Sequence, residues 1–138
     1  MLIRLTRSIA RPLLAGIFVQ GGIDTFRNPG PRAQRVEPVI GKLSDGLPLP
    51  DDTETLVRLN AAAHIVFGLL LARGKLPRLS ALVLAASLVP TTVAGHRFWE
   101  EETPQGKAMQ RTHFAKNLAI LGGLILTASD GTGRKAKS

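Results

Sequence analysis

The sequence predicts an all-α fold, a four-helix transmembrane bundle with both termini on the cytoplasmic side. Three observations carry this. Hydrophobic residues make up 44% of the 138 positions while aromatics reach only 4%, which is the composition of Leu-, Ala- and Val-rich helices rather than of a β-rich core. The segments IVFGLLLA, LSALVLAASLV and LAILGGLILTA lack the continuous polar face that a water-exposed amphipathic helix shows. Nine of the 18 lysines and arginines fall in three short clusters, Arg4/Arg7/Arg11, Arg73/Lys75/Arg78 and Arg134/Lys135/Lys137, with only Asp130 acidic near them. Four spans place all three clusters on one side, and dense positive charge in short loops marks the cytoplasmic side.

A chain of this length is one domain, assigned to 1–129 with a basic cytoplasmic tail at 130–138. The first helix is expected near 9–26, with Pro12 in its first turn and RNPGP at 27–31 ending it. Residues 31–50 hold Val36, Val39, Ile40 and Leu43 at helical spacing among Arg32, Arg35, Glu37 and Lys42. That pattern fits a short helix in the headgroup plane, and equally a solvated loop broken by Pro38 and Gly41. The second helix is expected near 56–72, N-capped by Asp52 or Thr53. The third is expected near 77–95 and the fourth near 113–128. Their uncharged runs are short for a bilayer core of about 20 residues: 14 residues from Leu59 to Ala72, 17 from Leu79 to Gly95 and 13 from Asn117 to Ser129. Snorkelling lysines and arginines lengthen such spans at their ends.

Placing polar residues by depth gathers them at one end. Gln20 and Asp24 lie one turn apart at the end of the first helix, and Asn60 and His64 one turn apart near the start of the second, with Arg58 just outside. His96 follows the third helix, and His113, Lys116 and Asn117 open the fourth. Together they form an expected outer-leaflet polar layer and the candidate ligand-binding set. Asp24 is the sole acid embedded in the first helix, and an intramembrane acid is costly unless paired; Arg58, Lys116 or Arg27 is the expected partner. Arg58, Arg97 and Lys116 also read as headgroup anchors, Phe98 and Trp99 as an interfacial belt, and the pairs Gly21–Gly22 and Gly122–Gly123 as sites of close helix packing.

Several chemistries are disfavoured. The net charge of +8 resides mostly in juxtamembrane clusters rather than in a nucleic-acid-binding face. With no cysteine the chain forms no disulfide and offers no thiolate nucleophile or thiolate metal ligand. No H-x-x-x-H or E-x-x-H spacing, phosphate-binding glycine loop or G-x-S-x-G is present. No metal site is assigned; His64 and His113, at similar depths, are the pair that axial haem ligation would need.

The segments RPLLAGIFVQGGIDTFRNP (11–29), LVPTTVAGHRFWE (88–100) and HFAKNLAILGGLIL (113–126) resemble the DoxX family of small bacterial four-helix membrane proteins, particularly its actinobacterial branch. The linker at 31–55 and the tail carry little of the likeness. The resemblance implies a multi-pass plasma-membrane protein working with thiosulfate- or quinone-linked oxidoreductases or in oxidative-stress complexes, and it carries no catalytic residue over. Three roles follow: a membrane subunit that anchors or couples a soluble oxidoreductase through the inner basic clusters; a quinone-reactive subunit whose layer of Asp24, His64, His113 and Lys116 hydrogen-bonds the quinone; or a carrier of lipid or a small solute. Quinone is the one cofactor suggested, the lipid bilayer the partner common to all three. Oligomeric state and whether the chain is itself an enzyme stay open.

Overall fold

The computed structural model describes residues 1–49 and 52–130; the basic cluster at 134–137 lies outside them. The described residues form α1 (Leu2–Arg27), α2 (Gly30–Ser44), α3 (Thr53–Ala72), α4 (Pro77–Gly95), a 3₁₀ turn (Phe98–Glu100) and α5 (Pro104–Ser129), with no strand among them. The four long helices expected from the sequence are α1, α3, α4 and α5.

Two of them start earlier than the hydrophobic pattern indicates. α1 begins at Leu2, which puts Pro12 in the helix interior rather than in its first turn. α5 begins at Pro104, nine residues before the apolar run, because Thr103 caps it: its hydroxyl accepts from the Gly106 N–H at 3.0 Å, and Pro104 follows with φ already helical. The segment after α1 is a helix rather than a loop, and α2 runs through both Pro38 and Gly41. Nor does α2 lie free: Val36, Val39, Ile40 and Leu43 face Leu56 and Val57 of α3 and Pro90 and Ala94 of α4.

Asp52 is the N-cap of α3, as expected. Its carboxylate accepts from the Glu54 N–H at 3.1 Å and from the Thr55 hydroxyl at 2.7 Å. The Thr55 hydrogen bond, foremost, holds its pKa below the usual carboxylate value. A depressed folded-state pKa contributes stability that is complete above the unfolded pKa and is lost as pH falls through the folded one. Acidification below about pH 4 should therefore lower the thermal midpoint of the wild-type chain more than that of Asp52→Asn, which caps without titrating.

α1 runs antiparallel to α3, and α4 antiparallel to α5. A turn at 73–76 joins α3 to α4 so tightly that Gly74 (φ 68°) and Leu76 (φ 47°) both adopt the left-handed region. Glycine does so freely, whereas leucine there costs about 1–2 kcal/mol, the one position of this kind among the described non-glycine residues. The core is one cluster, Ala15 and Phe18 of α1, Leu71 of α3, Ala81, Leu84 and Leu88 of α4, and Leu124 of α5.

Small residues bring α1 and α3 together. A Cβ on Gly22 would lie 2.8 Å from Ile65 Cγ1 and 2.9 Å from the Ala61 carbonyl oxygen, and one on Gly68 would lie 2.8 Å from Val19 Cγ2. Of the two glycine pairs singled out in the sequence, Gly22 has this role and Gly123 faces Leu14 at 3.3 Å, while Gly21 and Gly122 face open space. The α1–α5 seam, where Leu14 meets Gly123, is thin beside the α1–α3, α3–α4 and α4–α5 seams.

Outward surfaces are apolar on all four long helices. Leu13, Leu59, Leu82 and Leu126 expose 74%, 59%, 58% and 72% of their surface, as side chains facing an apolar medium do. α3 and the stretch Pro77–Glu100 are long and apolar enough to cross a membrane. Pro90 denies the Ala86 carbonyl its helical donor, and beside it the Thr91 and Thr92 hydroxyls turn back to the carbonyls of Ser87 (2.5 Å) and Leu88 (2.7 Å), so no hydroxyl in α4 faces lipid unpaired.

Candidate ligand-binding site

The polar residues do converge at one end, and part of them surround a cavity. It measures about 130 Å³ and is walled by Phe18 and Gly21 of α1, Arg32 of α2, Asn60 and His64 of α3, Thr91 of α4, and Lys116 and Asn117 of α5. Its α3–α4 wall is a hydrogen-bonded chain. Ser87 donates its hydroxyl proton to Asn60 Oδ1 and lies 2.7 Å from His64 Nε2. A hydroxyl has one proton; with it given to Asn60, Ser87 accepts from His64, which fixes the imidazole proton on Nε2. The ring is steadied edge-on against Phe18, with centroids 5.2 Å apart. On the α4–α5 side, Asn117 Nδ2 donates to Thr92 Oγ1 at 3.0 Å. No buried side-chain nitrogen or oxygen among the described residues lacks a partner.

Lys116 stands at the lip of the cavity, exposed and without a carboxylate partner among the described residues. The expected Lys116–Asp24 pair is absent. Asp24 instead pairs with Arg32 at 3.1 Å, on the surface, with side chains 63% and 49% exposed. The correction follows from α2: the turn at 28–29 folds it back so that Arg32 reaches Asp24 before Arg58, Lys116 or Arg27 does. Gln20 sits beside Asp24 in a shallow surface depression outside the cavity. Arg58 is exposed, and its charge acts on Asp52 rather than on Asp24.

His96 and His113 form a second cluster. Their rings stack with centroids 5.2 Å apart and planes inclined by 24°, so His113 faces His96 while His64 is engaged by Ser87. The Gln110 amide satisfies both its neighbours when Nε2 donates to His96 Nδ1 at 2.8 Å and Oε1 accepts from Arg35 Nη1 at 2.6 Å. Arg35 also donates to the Gly95 carbonyl at 3.2 Å and lies 3.6 Å from Glu101. Arg97 donates to the Arg35 carbonyl at 3.0 Å and to Glu100 at 2.6 Å. This cluster fastens α2 to the end of α4 and to α5. Beside it Phe98, Trp99 and Phe114 pack edge-to-face.

Of the nine residues singled out, Asn60, His64, Lys116 and Asn117 therefore share one cavity, His96 and His113 share the neighbouring cluster, and Gln20, Asp24 and Arg58 stand apart. Sequence reasoning missed Arg32, Arg35, Ser87, Thr91 and Gln110. The signals were there: Ser87 and Thr91 lie one turn apart in an otherwise apolar segment, and Arg32 and Arg35 share a face of the amphipathic stretch.

A second, apolar hollow adjoins the cavity. It measures about 230 Å³, runs between α2, α3 and α4, and shares Arg32, Asn60 and Thr91 with the cavity as common wall. An all-helical chain, apolar on its outer surface and polar at one internal site, is a membrane protein with the makings of a ligand pocket. The DoxX family model matches residues 6–97, more than half of the chain, and the chain belongs to the DoxX family. The match takes in α1 to α4 with the linker, and ends before the α5 residues His113, Lys116 and Asn117. No curated protein and no solved structure matches the chain.

Proposed function

We propose that the chain is a multi-pass plasma-membrane subunit of a redox complex, with 1–129 as one four-span domain and both termini cytoplasmic, and that it holds a quinone for a soluble oxidoreductase partner. The observation that supports the ligand is the adjacency of a cavity carrying polar donors to an apolar hollow, with Arg32, Asn60 and Thr91 lining both. A quinone is built the same way, a ring with two acceptor oxygens joined to a hydrocarbon tail. Its carbonyl oxygens take hydrogen bonds from the Lys116 ammonium and the Asn117 amide, while the tail lies along Val39, Ile40 and Leu43. Reduction consumes two electrons and two protons per quinone. The partner or a bound cofactor supplies the electrons; protons reach the quinone through His64, whose imidazole carries a donor and an acceptor nitrogen.

The experiment starts from membranes washed with alkaline carbonate, in which an integral chain stays in the pellet. Purified in mild detergent, the wild-type chain is expected to carry extractable quinone and to be thermally stabilised by added quinone. Lys116→Leu, which removes a charged donor from an exposed position, should weaken binding by roughly 10- to 100-fold with protein abundance unchanged. Release of the chain by carbonate would remove the membrane assignment. Wild-type protein that neither carries nor binds quinone would remove the ligand.

A further inference from the structure

The opposite end of the molecule holds a second site. Arg4, Arg7 and Arg11 recur at helical spacing on one face of α1, and with Arg73 at the end of α3 they line a hollow of about 420 Å³. Asp130, at the end of α5, is the carboxylate within reach: Arg7 bonds it at 2.6 Å and Arg11 lies 3.7 Å away, while Arg78 donates to its backbone carbonyl at 3.2 Å. One acid thus stands among five arginines and meets two of them, Arg7 and Arg11, through its carboxylate. Arg4 and Arg73 are exposed and have no carboxylate partner among the described residues. Gly74 leaves room for the Arg11 guanidinium, since a Cβ there would lie 3.3 Å from Arg11 Nη1.

The other face of the same helix segment is apolar and bare. Leu2, Leu5, Ile9 and Leu13 follow one another at helical spacing, between 55% and 77% exposed. A helix that is basic on one face and bare hydrocarbon on the other belongs at the boundary of headgroups and acyl chains. We propose that this end of the molecule binds the phosphodiester headgroup of an anionic phospholipid, with Arg4 and Arg73 as the arginines that receive the phosphate. Arginine suits the role, because its planar fork meets phosphate oxygens two at a time. Asp130 shows what these arginines accept: it places an oxyanion between Arg7 and Arg11, and the lipid phosphate completes the neutralisation at Arg4 and Arg73. A lipid satisfies the apolar stripe and the basic hollow together; a free phosphate satisfies only the hollow. The inference rests on residence in a membrane and not on the quinone reading.

The test is native mass spectrometry of the detergent-purified full chain, titrated with phosphatidylglycerol or with phosphatidylcholine of the same acyl chains. The wild-type chain is expected to prefer phosphatidylglycerol. Each arginine near an anionic surface contributes about fivefold to affinity, so Arg4→Gln with Arg73→Gln should loosen phosphatidylglycerol roughly 30-fold and phosphatidylcholine, whose choline cation offsets the same phosphodiester, much less. Lys107→Gln, an exposed basic residue on α5 at the far end, should change neither lipid. Both substituted arginines are exposed, and an unchanged thermal midpoint verifies the fold; should the double variant melt early, Arg4→Gln alone is expected to give the fivefold step. Equal binding of the two lipids, an unaffected arginine variant, or an equal loss in Lys107→Gln would overturn the site. Displacement of the lipid by millimolar inorganic phosphate would overturn the lipid assignment in favour of a free anion. Quinone is extracted from the same preparations, so a chain that keeps quinone but ignores phosphatidylglycerol rejects this inference alone.

Discussion

Gly22→Val is expected to lower the unfolding midpoint in detergent by the equivalent of about 1–3 kcal/mol, the range for overpacked sites. The reason is the partner at each contact. Ile65 Cγ1, 2.8 Å from the added Cβ, belongs to a side chain that can turn away. The Ala61 carbonyl at 2.9 Å cannot, because it is helix backbone, and His64 Cβ at 3.2 Å is scarcely freer. α1 must move off α3. Valine adds branching at that same carbon and so aggravates the clash at its source. Gly122→Ala supplies the contrast: nothing lies within 4 Å of that position, and removing a mid-helix glycine should be neutral or stabilise by up to about 1 kcal/mol. Equal midpoints for wild type and Gly22→Val would show that α1 and α3 do not approach as described. Because Gly22 touches α3 at His64 itself, the same substitution should loosen whatever the cavity binds.

Ser87→Ala should cost about 1–3 kcal/mol and act on two residues at once. The hydroxyl joins His64 Nε2 to Asn60 Oδ1; without it, a donor on one residue and an acceptor on the other lose their partner in a half-buried wall. Stranding buried polar groups costs more than the mean value of the bond that held them. The discriminating measurement is a double-mutant cycle with His64→Ala. Side chains in one network couple by about 0.5–3 kcal/mol, so the two losses should not add. Strict additivity would mean that Ser87 and His64 do not share a proton. In Ser87→Ala the imidazole also loses what fixes its tautomer, so the pH dependence of any reaction at the cavity should change even where binding survives.

Helices α3 and α4 were legible almost to their ends, since runs such as IVFGLLLA and LSALVLAASLV are long, aliphatic and bounded by breakers. The first turns of α1 and α5 were not. The first turns of α1 interleave arginines with Leu2, Ile3 and Leu5, and those of α5 are polar; helix persists because the chain continues into an apolar stretch and, in α5, because Thr103 caps it. α2 was ambiguous for a different reason. Pro38 and Gly41 oppose helix locally, and what favours it is the half-burial of Val36, Val39 and Ile40 facing α3 and α4, with Ala33 fully buried, a tertiary effect that no window of sequence contains.

The candidate site shows the same division. Depth alone was enough to bring Asn60, His64, Lys116 and Asn117 together, because the start of α3 and the middle of α5 lie at the same end of the antiparallel helices. It was not enough to find partners. Asp24 was legible as an acid needing a cation, yet the cation came from α2, whose course was undetermined. Ser87 and Thr91 escaped because hydroxyl groups in an apolar helix often satisfy themselves on their own backbone. Thr91 does so, and Ser87 does not.

The thin seam between α1 and α5 gives the site a direction. The two helices touch at Leu14 and Gly123, and towards the polar end they are separated by the cavity, with Ile17 and Gly21 on one side and Lys116 and Ile120 on the other. On the proposed reading, a hydrophobic molecule enters from within the leaflet and never has to cross water, and the first polar group it meets is the Lys116 ammonium.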